Sequence, residues 1–223
     1  MKGKLIIIEG LDGSGKSTQI EQLANRAKQL GKAVRQIKFP NYAEDSSALV
    51  KAYLRGELGG LHEINAYAAS VLYSVDRYAT WRRHMHADYE AGCTFLLDRY
   101  TTANMYHQAT KLPKEEWDSF LSWLEDLEYE KMGLPRPDLV LYLDMPIEVS
   151  QKLLLQRYQG DSGKKDIHES HLAFLRSCGE CARYAGKRLG WKVVPCAKGG
   201  EPLPVEEIHR AVLAAVEPLL EKP

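Results

Sequence analysis

Nine consecutive residues carry the clearest chemistry in the chain: Gly10-Leu11-Asp12-Gly13-Ser14-Gly15-Lys16-Ser17-Thr18. They satisfy the pattern G-x-x-x-x-G-K-S/T in full. Its glycines let successive backbone N–H groups turn inward and approach phosphate oxygens. A helix that begins there points its positive end at the same place. In such a loop Lys16 reaches the β- and γ-phosphates of a nucleoside triphosphate, and the Ser17 hydroxyl ligates Mg²⁺. A glycine-rich turn before an ordinary helix is the rival reading. It leaves the fixed motif positions and both flanks unexplained.

A triphosphate grip does not say which reaction follows, so the acceptor side has to decide. Asp98-Arg99 ends an apolar run, and an arginine there offers a planar fork of donors matched to phosphate oxygens. Asp76-Arg77 is a second acid–base pair, inside a long helical pattern. Alone it reads equally well as a solvated surface salt bridge. Tyr73 lies four residues before Arg77, so ring and guanidinium share a helix face. An aromatic face beside a donor fork is what a nucleobase pocket needs: one stacks, the other bonds a carbonyl edge.

The elements that must position these groups alternate between strand-like and helical patterns, the signature of a parallel sheet covered by helices. Leu5-Ile6-Ile7-Ile8-Glu9 is a strand, and the helix after the loop repeats Ile20, Leu23, Ala24, Ala27 and Leu30. Further strands are expected at 33–39, 94–97, 138–144 and 191–196. Helices are expected at 46–58, 63–90, from Pro113 through the Trp117–Leu127 stripe, at 146–158, 167–189 and 205–220. Residues 159–165 are polar, basic and glycine-bearing, which reads as a loop or lid. This predicts one α/β domain over 1–223, with a five-stranded parallel sheet in three layers and a short basic lid at about 157–167.

Composition removes several function classes. Thirty basic and thirty acidic residues balance, which argues against a general nucleic-acid or anionic-membrane binder. No apolar stretch reaches the ~20 residues of a membrane helix, and the first apolar run is too short for a signal peptide. Four cysteines in 223 residues do not make a disulfide framework, so a cytoplasmic location is expected. Cys178-Gly179-Glu180-Cys181, with His168 and His171 upstream, invites a metal or redox reading. At ~1.5 Å per residue His171 and Cys178 stand about 10 Å apart on one helix, too far to share a tetrahedral ion. Helix-packing thiols fit better.

In combination, several stretches resemble the thymidylate kinase family, which phosphorylates dTMP with ATP. They are Glu9 to Gln19, Phe39-Pro40, Tyr73-x-x-Asp76-Arg77, Asp98-Arg99-Tyr100 with Gln108 beyond it, and Pro135-x-Pro137-Asp138-Leu139-x-Leu141-Tyr142-Leu143. The resemblance implies that Gly10 to Thr18 hold ATP, with Ser17 on magnesium and Asp12 near the acceptor sugar and the metal. It implies that Arg99 bridges donor and acceptor phosphates. Tyr73 would stack on thymine, Arg77 would bond its O4, Gln108 would lie on the base side, and Tyr100 would pack beside the deoxyribose. Phe39 joins this acceptor set. A homodimer is also implied, with a face on the Trp117–Leu127 stripe or on the long helix.

A phosphate monoester is already an anionic nucleophile at neutral pH, so the task is to neutralise and align two repelling anions. Two departures from the family pattern bear on that task. Phe39-Pro40 is followed by Asn41-Tyr42-Ala43-Glu44, without the arginine that many members carry, and Gly13 stands where some members put arginine. The missing charge then falls to Lys164 and Lys165 of the lid, with Arg157 at its entrance. A deoxynucleoside kinase is the nearest alternative, but it needs a carboxylate base near a 5′-hydroxyl, and the end of strand two has none. A non-catalytic P-loop protein or GTPase switch is a further alternative; no Asn-Lys-x-Asp guanine motif occurs.

Overall fold

The strand that feeds the glycine loop lies in the middle of the sheet. Strand β1 (Leu5–Glu9) pairs in parallel with β3 (Thr94–Asp98) on one side and with β4 (Leu139–Asp144) on the other. Strands β2 (Val34–Lys38) and β5 (Lys192–Pro195) complete the parallel sheet, in the order β2-β3-β1-β4-β5. The computed structural model describes residues 2–157 and 172–221.

Leu5, Ile6, Ile7 and Ile8 are all fully buried because both faces of the sheet are covered. The pleat sends them alternately into two cores. Leu5 and Ile7 join the cluster with Phe95, Leu97, Phe120, Leu124 and Ala182, whereas Ile6 and Ile8 join Leu23, Ala27, Leu141, Val212 and Val216. Helices α1 (Lys16–Gln29) and α9 (Val205–Glu221) close the second face.

The helices of the first face carry the acceptor residues. After the short α2 (Ala48–Leu54), α3 (Ala66–Thr80) is capped by Asn65, whose Oδ1 accepts from the Ala68 amide. The helix expected at 63–90 is therefore three residues shorter at its start, and it is not uniform. A π turn at Trp81–Met85 separates α3 from α4 (His86–Glu90). A helix that the sequence pattern did not suggest, α5 (Thr101–His107), follows β3 directly. It is buried at every position, so it has no polar face to give it a period. Then come α6 (Trp117–Glu125), a second π turn at Asp126–Lys131, α7 (Ile147–Arg157) and α8 (Leu172–Leu189). The turn expected between β5 and α9 is a small hairpin, β6 (Ala197–Lys198) against β7 (Glu201–Pro202).

Candidate active site

In an open parallel sheet, ligands bind beyond the carboxyl ends of the strands, where the connections diverge to opposite sides. Here that point lies beyond β1, between β3 and β4, and it holds Gly10 to Thr18. Lys16 is buried and its Nζ donates to the carbonyls of Gly10 and Leu11 at 3.0 and 3.1 Å. Ser17 and Thr18 are exposed on the first turn of α1. Gly13 explains itself sterically. At φ +81° a Cβ there would lie 2.6 Å from the Ser150 carbonyl oxygen and 2.9 Å from the Leu154 side chain, so α7 occupies the room an arginine would need.

One residue past β3 the backbone turns sharply. Arg99 is the only non-glycine residue at positive φ, +71°, among the described residues. Such a conformation costs on the order of 1–3 kcal/mol and persists where surroundings over-determine it. Glu9, wholly buried at the end of β1, does that here. Its Oε1 accepts from the Tyr100 amide at 3.0 Å and the Thr102 hydroxyl at 2.6 Å, and its Oε2 from the Tyr106 hydroxyl at 2.9 Å. The Arg99 amide donates to the Ile8 carbonyl at 3.2 Å. The turn thus aims the guanidinium back at the glycine loop, where Nη2 donates to Asp12 Oδ1 at 2.7 Å. Nη1 donates to the Tyr106 hydroxyl at 2.9 Å.

These charges set one another. Burial works against ionisation of Asp12, but Arg99 and Lys16 outweigh it and hold the carboxyl well below the usual range. About a third of the Asp12 side chain still faces solvent. Burial, then the neighbouring Arg99, pull the Lys16 ammonium below its ordinary value. Lys16 and Arg99 repel each other and share the carboxylates of Asp12, Glu9 and Asp98, so a phosphate placed between the two cations would meet both.

The cleft beside them is lined by Asp12, Phe39, Tyr73, Arg77, Arg99, Tyr100 and Gln108, all seven of the residues expected on the acceptor side. The surface reading of Asp76-Arg77 does not hold, since both are buried and neither pairs with the other. Asp76 accepts from the Asn41 amide and the Ser46 hydroxyl at 2.9 and 2.7 Å. Arg77 is clamped by Glu128, with Nε 2.7 Å from Oε2 and Nη2 on Oε1; among the described residues Nη1 has only the Tyr100 carbonyl, at 3.5 Å. Glu128 reaches this position from the second π turn and also accepts from Ser74 and Thr101. Both amide atoms of Gln108 are buried without a hydrogen-bond partner among the described residues. Tyr100 presents its ring to the cleft, but its hydroxyl turns away to the Pro135 carbonyl at 3.1 Å.

Lys38, Tyr42, Leu54, Ala103, Asn104 and His107 also line the cleft and escaped the sequence reading. Tyr100, Ala103, Asn104 and His107 do recur at helical spacing. That signal was available once 101–107 was read as a helix. Among the described residues Lys38 forms no ion pair, although it stands in register with Asp98 at the carboxyl edge of the sheet. Of the residues assigned to the lid, Lys164 and Lys165 lie outside the described residues. Arg157 closes α7, and its side chain lies outside them as well. Cys178 and Cys181 are buried free thiols, and no cluster of metal ligands occurs among the described residues.

A glycine loop after the central strand, its lysine, and a cationic cleft alongside define a P-loop nucleotide kinase. The thymidylate kinase family model matches residues 8–211. The thymidylate kinase of Mycobacterium tuberculosis is 31% identical over 169 residues, 74% of this chain and 77% of that protein. The Schizosaccharomyces pombe enzyme is 31% identical over 193 residues, 78% and 83%. The human enzyme is 26% identical over 231 residues, 100% and 95%. A solved thymidylate kinase from Candida albicans shares the fold, with a TM-score of 0.73 at 22% identity over 99% of this chain and 94% of that one. The chain belongs to the thymidylate kinase family: it is an ATP-dependent phosphotransferase acting on dTMP, and neither a nucleoside kinase nor a GTPase switch.

Proposed function

We propose that the enzyme performs this transfer as a single domain over 1–223, with donor and acceptor held on either side of Asp12 and Arg99. The observation that carries the reading is the convergence of a cationic end (Lys38, Arg99) and a base-sized end (Tyr73, Arg77, Gln108) in one cleft beside the glycine loop. Lys16 and the loop amides hold the ATP phosphates. Arg99 spans the two phosphates that must meet, and Lys38 supplies the charge on the acceptor side that no arginine after β2 provides. A guanidinium can only donate, so Arg77 Nη1 requires an acceptor on the base edge. The 4-oxo group of thymine meets that requirement and the 4-amino group of cytosine does not.

The donor set also fits magnesium. Ser17 is exposed, and Asp98 Oδ1 is buried at the end of β3 without a hydrogen-bond partner among the described residues, close enough to Lys16 to shift it. Mg²⁺ is commonly held by one or two protein oxygens together with waters and substrate phosphates. When bound, it would neutralise charge on the β- and γ-phosphates. Ser17 would hold it directly and Asp98 through water, while Asp12 holds Arg99 before the phosphates arrive.

We also propose a homodimer in the cytoplasm. The Trp117–Leu127 stripe cannot serve as its face, because Trp117, Phe120, Leu121 and Leu124 are buried within the chain. Val71, Val75 and Tyr78 instead form an exposed apolar row on α3, at 42%, 48% and 42% exposure. No helix among the described residues is long and apolar enough to cross a membrane. Initial-rate assays with ATP and dTMP, dUMP, dCMP, dGMP or thymidine test the acceptor assignment. dTMP should give the highest kcat/KM, and Lys38→Ala should raise KM for dTMP about 10-fold, the worth of one charged hydrogen bond. Equal use of dCMP would refute the role of Arg77.

A further inference from the structure

His107 ends α5 and touches both the acceptor cleft and the Arg99 guanidinium. Its Nε2 lies 3.2 Å from Arg99 Nη1, and its Nδ1 lies 3.5 Å from Cys178 Sγ on α8. The Phe174 ring is stacked on it at 6.4 Å and the Tyr106 ring leans on it at 4.5 Å. The side chain is nearly buried, and Cys178 completely so. The first contact decides the second. A guanidinium has no lone pair, so Nε2 can meet it only as an acceptor. The imidazole proton then sits on Nδ1, directed at the Cys178 sulfur. That is one tautomer of the neutral ring, held from both ends.

We propose that His107 is a positioning residue for Arg99, with Cys178 as the acceptor that helps to hold its tautomer from the other side. This rests on the reading of Arg99 as the arginine that spans the two phosphates. Nη1 donates to two neutral acceptors, the Tyr106 hydroxyl and His107 Nε2, with Glu9 Oε2 farther off at 4.0 Å, while Nη2 donates to the charged Asp12. Substrate phosphate competes with Asp12 for the guanidinium. The neutral acceptors hold the plane of the fork while that exchange occurs; the Glu9 carboxylate, 4.0 Å from Nη1, is itself held by the Tyr100 amide and the Thr102 and Tyr106 hydroxyls. Protonating His107 removes the Nε2 acceptor and puts a cation against a cation. Among the described residues, the charged and titratable groups that face the ring include Arg99 beyond β3, Asp12 of the glycine loop, Tyr106 on its own helix and Cys178 on α8. One member of the Cys-x-x-Cys pair, Cys178, thereby gains a function in the site.

Steady-state assays of the full chain with ATP, Mg²⁺ and dTMP between about pH 5.5 and 9 test this. His107→Phe keeps the ring and its packing but loses the acceptor. It should lower kcat about 10-fold at pH 8, the worth of one hydrogen bond to a charged group, with KM for ATP within twofold. His107→Gln keeps an acceptor that does not titrate and should recover most of that loss. The substrate phosphate itself titrates near about pH 6, equally for every variant, so the wild-type to Gln ratio isolates the ring. That ratio should fall at least threefold between pH 8 and pH 5.5. Cys178→Ala should shift the ¹⁵N resonances of His107 away from the Nδ1–H tautomer. If His107→Phe does not fold, the Gln ratio and the ¹⁵N spectrum of the wild-type enzyme carry the decision. A constant Gln ratio or an Nε2–H tautomer overturns the proposal. Arg99→Ala with wild-type kcat would remove the reading of Arg99 itself and the proposal with it. A strongly impaired Arg99→Ala beside an unimpaired His107→Phe would refute only the role of His107.

Discussion

Replacing Glu128 by Ala should separate the stability of this enzyme from its base recognition. Arg77 and Glu128 are among the most deeply buried charged residues described, at 2% and 0% exposure. Glu128 accepts from four groups: Arg77 Nε, Arg77 Nη2, the Ser74 hydroxyl and the Thr101 hydroxyl. Burial disfavours the Arg77 charge, and Glu128 more than restores it. Removing the carboxylate strands a buried guanidinium, a loss of about 3–5 kcal/mol by analogy with broken buried pairs. For a domain of this size that corresponds to a fall in Tm of about 6–20 °C, taking 2–4 °C per kcal/mol. Chemical denaturation with tryptophan fluorescence measures the first quantity and differential scanning calorimetry the second. Freed from its clamp, Arg77 should also lose its alignment, raising KM for dTMP at least 10-fold while kcat changes less. The double variant Arg77→Met with Glu128→Leu should recover much of the stability, because apolar replacements of a buried ion pair are often neutral or better. Its preference for dTMP over dCMP should nevertheless be gone. A loss below about 1 kcal/mol for Glu128→Ala, with an unchanged KM for dTMP, would refute the reasoning.

Three further outcomes are expected. Gly13→Ala forces a Cβ at positive φ against the Ser150 carbonyl and Leu154; it should destabilise the fold by about 1–3 kcal/mol in urea unfolding and raise KM for ATP. Changing Lys164 and Lys165 together to Ala should lower kcat at least ~10-fold with little change in KM for dTMP, if either stabilises the transferring phosphoryl group; a normal kcat moves that role elsewhere. Lys111 donates to the Tyr53 hydroxyl and the Ile64 carbonyl, and burial brings its ammonium down to about 8 from 10.5. The folded state therefore binds this proton less tightly than the unfolded chain. The penalty is fully present at pH 7 and is relieved as pH rises through 8 toward 10.5. Relative to Lys111→Met, wild type should gain stability over that range in parallel denaturant titrations; a flat difference would contradict the assignment.

Much of this molecule was legible in one dimension, and the reason is locality. Gly10 to Thr18 is a contiguous motif whose strand and helix flanks are themselves contiguous, so the donor site could be read residue by residue. The alternation of apolar runs and helical stripes likewise led to five parallel strands. Tyr73 and Arg77 share a face because four residues make about one helical turn. What the amino-acid order could not reveal is what each charge meets across the fold. Asp76-Arg77 reads equally as a surface pair, and only the approach of the 126–131 turn shows that Arg77 belongs to Glu128, 51 residues away. Helix α5 was missed because a helix buried all round has no hydrophobic period, and Asn104 and His107 were missed with it. Gly13 could be seen to lack arginine, but the reason, α7 packed against the loop, exists only in three dimensions. The left-handed turn at Arg99 is decided by Glu9, whose carboxylate crosses from β1 to the start of α5. Local chemistry is written in sequence spacing. Electrostatic partnership and steric room are settled by which distant segments the packed sheet brings together.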